Sequence, residues 1–208
     1  MELSLYLYLY YRSIYAEELF RSVRRFSVIV KECISPEVRD YVNQALKPAE
    51  ELIQNGQLRG VHCVISTSDG MEIERLCFDL KDPKDLEGQT SSFFQHARSH
   101  EMEKYYQIFL KKIQGEEEIR NVYAEASYHF TRLLSTLALL RDLPEQHNWH
   151  LEYKVKGKDD YLKISDESGR SLVPVASRKR ENEAIKPISS NFYGFIQMES
   201  CVCLKPLM

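Results

Sequence analysis

The chain has 208 residues, of which 43% are hydrophobic and 28% are charged, proportions that fit one globular domain with a sizeable core. Its net charge of −3 excludes an overall positive field that would hold it on nucleic acid or on an anionic membrane, so neither is an expected partner. Five cysteines, an odd number, favour a reducing compartment.

The first residues form an apolar segment whose secondary structure the pattern leaves open. Leucine alternates with serine or tyrosine over residues 3–9, which by itself favours a strand. A helix that is buried on most of its circumference would be equally apolar, so a helix is the alternative. The β-branched residues of the next apolar run predict one short strand over residues 24–31.

A capped helix and a hairpin follow. Ser35 and Pro36 are typical of a helix start, apolar residues recur every three or four positions as far as Ile53, and Gly56 provides the stop. Two apolar arms then flank an Asp-Gly pair that ends at Gly70, which predicts a β-hairpin because both residues tolerate positive φ.

The second half of the chain alternates between regular and charged stretches. We predict two helices between residues 101 and 141 and a strand over residues 149–155. Residues 157–190 are charged and poor in apolar side chains, interrupted only by residues 161–164 and 172–175, which predicts a mobile segment. The β-rich residues 192–204 predict one terminal strand that ties this segment down.

No motif in the chain indicates catalysis. Phosphate loops, nucleophile elbows, HExxH and dinucleotide fingerprints are absent from the sequence, so we predict a protein without enzymatic activity and without a cofactor. His96 and His100 have no third ligand at a recognised spacing. Cys201 and Cys203 share one face of the predicted strand, and we interpret them as core or partly buried thiols because CxC differs from the spacing of zinc or redox motifs. No metal site is therefore predicted.

Four segments in this order resemble the HORMA domain family: YYRSIYAEELF, RRFSVIVK, SPEVRDYVNQAL and VHCVISTSDGMEIERLCFDL. Within that family the chain is most similar to the accessory subunits of translesion DNA polymerase zeta. The resemblance implies an α+β fold, in which a central, mostly antiparallel sheet packs on helices. It also implies a C-terminal safety belt that folds over a partner peptide. The single domain would comprise a core over residues 1–156, with a helical insertion at about 84–116, and a belt over residues 157–208.

The resemblance also assigns functional residues. The expected ligand is a proline-rich peptide of a polymerase catalytic subunit or a similar protein, bound by Tyr15, Tyr41, Ala45, Leu172, Val173 and Pro174. For Tyr41, which lies on the apolar stripe of its helix, a core position is the alternative. Arg132 is the candidate for self-association, as a HORMA homodimer or heterodimer, and an ordinary surface arginine is the alternative.

The function that the resemblance implies is that of a non-catalytic adaptor. It would act as accessory subunit of polymerase zeta in translesion synthesis and the DNA damage response, in the nucleus and the cytoplasm. The alternatives are a spindle-checkpoint or meiotic HORMA protein, or a HORMA scaffold subunit with a fixed belt.

Overall fold

The computed structural model describes residues 1–81, 116–157, 161–164, 172–175, 183–193 and 196–206. The helices are α1 (Glu2–Tyr11), α2 (Pro36–Gln54) and α3 (Glu116–Leu137). The strands are β1 (Phe20–Arg25), β2 (Val28–Cys33), β3 (Leu58–Thr67), β4 (Glu72–Lys81), β5 (His147–Val155), β6 (Tyr161–Ile164), β7 (Leu172–Val175), β8 (Ala184–Tyr193) and β9 (Ile196–Leu204). None of the helices in these ranges is both long and apolar enough to cross a membrane.

Three layers build the fold: a β-hairpin, the helices and a seven-stranded sheet. Strands β1 and β2 form the separate hairpin, whereas the sheet has the order β7-β6-β5-β3-β4-β9-β8 with every neighbouring pair antiparallel. Helix α2 packs on β3 and β5, α3 packs on β8, and both α1 and α3 contact β2 on their other side. The predicted α+β class with a mostly antiparallel sheet is confirmed.

The apolar N-terminal segment is a helix, which resolves the alternative that its sequence left open. Residues 4–9 of α1 are all buried, because the helix lies between the hairpin layer and the sheet and has almost no solvent face. Tyr10 meets the hairpin, where its ring packs edge-on against Phe20 and the Lys31 ammonium lies 4.5 Å above it. An all-apolar helix is the expected result of burial on every side.

The prediction of one strand over residues 24–31 is wrong. The segment is the tip of the β1–β2 hairpin, and the chain reverses at Phe26 and Ser27 with φ values of 48° and 60°. Two-residue turns of this kind usually carry Asn-Gly, so Phe-Ser gave no turn signal. The Phe26 ring stacks on Phe130 of α3 at 5.5 Å, and this contact offsets part of the cost of the left-handed backbone, which is about 1–2 kcal/mol for each of the two residues.

Helix α2 and the β3–β4 hairpin are confirmed. The Ser35 hydroxyl accepts a hydrogen bond from the Val38 amide, Pro36 is the first helical residue, and Gly56 adopts a φ of 64° just beyond the end. The β3–β4 ladder is antiparallel across the predicted Asp-Gly turn. Local chemistry determined these elements, and it is visible in the sequence.

The C-terminal predictions need correction. Residues 157–190 contribute β6, β7 and much of β8, and residues 192–204 contain the end of β8 and all of β9 rather than one strand. Strand β8 lies at a sheet edge, and over residues 184–190 only Ile188 is buried. An edge strand of this kind has a polar composition, so the sequence did not indicate a strand there. The second helix predicted between 101 and 141 is confirmed as α3, while the first falls outside the described residues.

Candidate functional site

One half of β5 presents an open edge. Strand β3 pairs with β5 along its whole length, from Leu58 opposite Val155 to Thr67 opposite His147. On the other side β6 pairs only with residues 152–154. Within the described ranges, residues 147–151 therefore have no strand beyond them. Backbone N–H and C=O groups at such an edge are available to an added strand.

An aromatic cluster borders this open edge. Trp149 of β5 packs edge-on against Tyr41 at 5.2 Å between ring centroids and against Tyr15 at 6.4 Å. Its indole Nε1 donates a hydrogen bond to the Tyr15 hydroxyl oxygen at 3.2 Å. Trp149 and Tyr15 are partly buried, while Tyr41 is 48% exposed. The three rings offer a surface that a peptide on the edge would cover.

Different elements bring these rings together. Ser13 ends the turn after α1 with a φ of 52°, which redirects the chain towards the start of β5 and positions Tyr15 there. Tyr41 projects from α2, which is fixed on β5 because the hydroxyl of Tyr153 donates to the carbonyl oxygen of Ala45. Burial raises the pKa of Tyr153, so this phenol remains a donor at neutral pH.

Two of the predicted site residues, Tyr15 and Tyr41, thus pack against Trp149, which was not among the predicted site residues. Trp149 was predicted only as part of a strand. A signal was available, because the alternation in WHLEYKV places Trp149 on the same strand face as Leu151 and Tyr153. That face is apolar, and Leu151, Tyr153 and Val155 on it are buried, whereas Trp149 is only partly buried. Tyr41 is exposed, so the alternative interpretation of this residue as a core tyrosine is wrong.

The remaining predicted residues lie elsewhere. Ala45 is buried in the core, where it packs α2 against the sheet. Leu172, Val173 and Pro174 belong to β7, which β6 separates from β5. Leu172 packs against the core, whereas Pro174 is exposed. The peptide contacts of these four residues stay predictions.

The candidate belt joins opposite edges of the sheet. The chain leaves the sheet from β7 at one edge and re-enters it in β8 at the other. Strand β9 then pairs with β4 over eight positions, from Lys81 opposite Gln197 to Glu74 opposite Leu204. A peptide bound at β5 would therefore lie within a stretch of chain that is attached at both ends.

Charged side chains fasten the β8–β9 hairpin to the core. Arg75 of β4 is buried and lies 2.5 Å from a carboxylate oxygen of Glu183, which immediately precedes β8. The ammonium of Lys205, just after β9, lies 2.6 Å from the same oxygen. Burial protects the Arg75–Glu183 contact from solvent screening, so this contact strengthens the attachment of the hairpin.

A buried histidine joins three elements. His129 of α3 places Nε2 3.0 Å from the Ser4 hydroxyl of α1 and Nδ1 2.8 Å from the Ser189 hydroxyl of β8. Burial lowers its pKa to about 4, with a smaller contribution from the N-terminal ammonium. The imidazole is therefore neutral at pH 7 and serves as a hydrogen-bonding bridge.

Arg132, the self-association candidate, lies on the exposed side of α3. Its Nε donates a 3.4 Å hydrogen bond to the carbonyl oxygen of Ile188 in β8. The structure thus gives it a contact with the belt hairpin, and its role in self-association stays a prediction.

Comparison with known proteins supports the sequence resemblance. No protein-family model matches the chain. It is 25% identical over 97 residues to the mitotic spindle assembly checkpoint protein MAD2B of Danio rerio, which is 47% of this chain and 46% of the relative. It is 24% identical over 113 residues to human MAD2B, 54% and 51% of the two chains. Over 80 residues it is 28% identical to the DNA polymerase zeta processivity subunit of Arabidopsis thaliana, 38% and 37% of the two. The chain spans about half the length, or less, of these relatives.

Solved structures extend the likeness to the whole fold. A chain in the mitotic checkpoint complex superposes with a TM-score of 0.71 at 14% identity, covering 99% of this chain and 94% of that one. HTP-2 of C. elegans bound to the HIM-3 closure motif superposes with a TM-score of 0.67 at 14% identity, covering 99% and 87%. These structural likenesses confirm the predicted HORMA fold, and the sequence likeness to MAD2B and to the polymerase zeta processivity subunit supports the resemblance to that subgroup.

Proposed function

We propose that this HORMA-fold chain is a non-catalytic adaptor that binds a short peptide of a partner protein along residues 147–151, beneath its C-terminal belt. The observation that carries the proposal is the open half of β5 beside the rings of Tyr15, Tyr41 and Trp149. A peptide added there gains main-chain hydrogen bonds from β5 and apolar contact with the rings.

The chemistry of the edge favours a peptide that contains proline. Proline side chains pack well on tyrosine and tryptophan rings, and an extended proline-containing segment loses little conformational entropy on binding. We therefore propose a proline-rich peptide as ligand, bound by the aromatic residues together with Ala45, Leu172, Val173 and Pro174. Its source would be a polymerase catalytic subunit, since a relative is named the DNA polymerase zeta processivity subunit. The chain would then act in translesion synthesis, in the nucleus.

The second candidate is a checkpoint or meiotic adaptor that holds its partner in the same way. MAD2B is named as a spindle assembly checkpoint protein, and HTP-2 was solved with a closure motif bound. This candidate uses the same edge and differs only in the peptide. The two are separated by comparing peptides from the different partners.

The chain's single tryptophan provides a direct assay. Because Trp149 lies at the proposed edge, a bound peptide shields it from water and shifts its fluorescence emission to shorter wavelength. We expect a saturable shift with a proline-rich peptide from the catalytic subunit of polymerase zeta. A preference for a checkpoint or meiotic closure motif would favour the second candidate, and no shift with any of these peptides would overturn the adaptor proposal.

Two tyrosine variants test the site. Tyr41→Ala removes a 48% exposed ring beside Trp149, and Tyr128→Ala removes a 56% exposed ring on α3 as the matched control. A ring at the centre of an interface contributes about 2 kcal/mol, so we expect roughly thirtyfold weaker peptide binding for Tyr41→Ala and unchanged binding for Tyr128→Ala. Equal affinity of both variants would contradict the assignment.

A further inference from the structure

Three cysteine thiols meet where the belt hairpin joins the core. Cys77 of β4 lies directly opposite Cys201 of β9 in the antiparallel register, and Cys203 lies two positions further along β9 on the same face. The Sγ atoms of Cys77 and Cys203 are 3.9 Å apart, and those of Cys201 and Cys203 are 3.8 Å apart. All three sulfur atoms lie within 4.8 Å of one another.

These distances match those of a thiolate metal centre. Zinc–sulfur bonds are about 2.3 Å long, so two sulfur ligands of a tetrahedral zinc ion lie about 3.8 Å apart. Two of the three sulfur pairs therefore already have the spacing of ligands to one ion, and the third pair lies within 4.8 Å. Cys77 and Cys203 are buried and Cys201 is partly exposed, which gives an ion access from solvent. Three protein ligands leave a fourth position open.

Binding of a metal ion by thiols releases their protons. A divalent cation bound by the three cysteines would displace three thiol protons, which pass to solvent, and would leave one net negative charge on the site. Arg75, the register partner of Cys203 on β4, places a positive charge on the same face of the ladder.

A buried histidine lies on the strand beside the cluster. His62 of β3 is the register partner of Cys77 and lies on the same sheet face. It is 1% exposed, and its Nε2 lies 3.1 Å from a carboxylate oxygen of Asp79. Among the described residues, the ligand atoms close enough together to share one ion are the three sulfurs, without a nitrogen of His62. The histidine is therefore a neighbour of the site rather than one of its ligands.

We propose that Cys77, Cys201 and Cys203 form a binding site for a thiophilic divalent cation such as Zn²⁺. The ion links β9 to β4 across the ladder that holds the belt hairpin in place. No metal site is predicted from the sequence, because CxC alone supplies two ligands and the third comes from a strand more than 120 residues away. The site is independent of the proposed peptide-binding edge on β5, so either can fail without the other.

Cadmium provides a spectroscopic probe, because its thiolate complexes have a charge-transfer band in the ultraviolet. Cd²⁺ titrated into the reduced, metal-free full chain is expected to give this band and to saturate at one equivalent, with Zn²⁺ competing for the same site. Cys201→Ser, which changes the partly exposed ligand, and Cys77→Ser are expected to weaken binding at least a hundredfold. Cys33→Ser is the matched control, because Cys33 is a buried thiol outside the cluster.

A stability measurement keeps the test decisive if a buried variant folds poorly. One equivalent of Zn²⁺ is expected to raise the thermal unfolding midpoint of the unmodified chain and of Cys33→Ser, but not that of Cys201→Ser. The proposal is overturned if the unmodified chain binds neither ion at one equivalent. It is also overturned if folded Cys201→Ser binds Cd²⁺ as tightly as Cys33→Ser does.

Discussion

Helix α1 and the belt hairpin are attached to the same strand in different ways. Glu74 and Arg75 are neighbours on β4, and their side chains point to opposite faces of the sheet. Glu74 receives Arg12, at the end of α1, through two hydrogen bonds of 2.6 and 2.9 Å, and it also accepts the Tyr8 hydroxyl. Arg75 instead pairs with Glu183 at the start of the belt hairpin and with Glu72 on its own strand.

The two attachments differ in their contact with water. Arg12 and Glu74 are both fully buried and engage through two parallel bonds, which is the strongest geometry for such a pair. On the belt side, one oxygen of Glu183 is shared by Arg75 and Lys205, and Lys205 is 20% exposed. Water can compete for that ammonium. The charged contacts of α1 are therefore better shielded from solvent than those of the belt hairpin.

The largest effect is expected from Arg12→Ala. This change leaves the Glu74 carboxylate buried without its charge partner, which costs about 3–5 kcal/mol of the free energy of unfolding. Urea denaturation measures the loss. Arg21→Ala is the control, because Arg21 pairs with Glu32 on the exposed hairpin surface and should cost less than about 1 kcal/mol. Similar losses for the two variants would show that burial does not make the Arg12–Glu74 pair more important for stability than an exposed pair.

The next effect concerns His129, which contacts both regions. Its pKa is about 4 in the folded chain and about 6.5 when unfolded, so the unfolded state binds the proton first as pH falls. The stability it contributes is complete above pH 6.5 and declines towards pH 4, by at most about 3 kcal/mol. We expect His129→Gln, followed by urea denaturation across this range, to lose less stability on acidification than the unmodified chain. Parallel pH profiles would contradict the role of His129.

A smaller and more local effect is expected from Glu183→Gln. The change weakens the charged contacts with Arg75 and Lys205, and about 2 kcal/mol of local stability is lost. Hydrogen exchange should become faster in β8 and β9 while α1 keeps its protection, and a bound peptide should dissociate faster. Equal acceleration in α1 would show that the two attachments are not separable.

The smallest effect is expected from Glu199→Gln, on the same β4–β9 ladder. Glu199 pairs with Lys81 at 3.0 Å, but both side chains are more than 40% exposed. Solvent screens such a pair, so the change should cost less than about 1 kcal/mol by urea denaturation and leave hydrogen exchange in β8 unchanged. It therefore serves as the matched control for Glu183→Gln. A loss as large as that of Glu183→Gln would contradict the importance of burial.

What the sequence predicted was what local chemistry determines. The Ser35 cap, the Gly56 stop and the Asp-Gly turn each act within a few residues, so α2 and the β3–β4 hairpin were predicted. The β1–β2 turn was missed because Phe26 adopts positive φ although it is not a residue type typical of such turns. The ring of Phe130, which is distant in the sequence, stabilises it.

The site was only partly predictable, for a related reason. Tyr15 and Tyr41 came from the family resemblance, but their contact through Trp149 joins residues more than 100 positions apart. The same holds for Cys77 and the β9 thiols, and for Arg75 and Glu183. Strand pairing creates these contacts, and a single sequence does not show which strands pair.

The opposite orientation of Glu74 and Arg75 also protects the sheet against misfolding. A strand that slips by one residue turns every side chain to the other face. If β4 slipped in one direction, Arg75 would take the place of Glu74 and meet Arg12, and in the other direction Glu74 would take the place of Arg75 and meet Glu183. Either error buries two like charges against each other. The neighbouring charges of Glu74 and Arg75 therefore disfavour both slipped registers of β4.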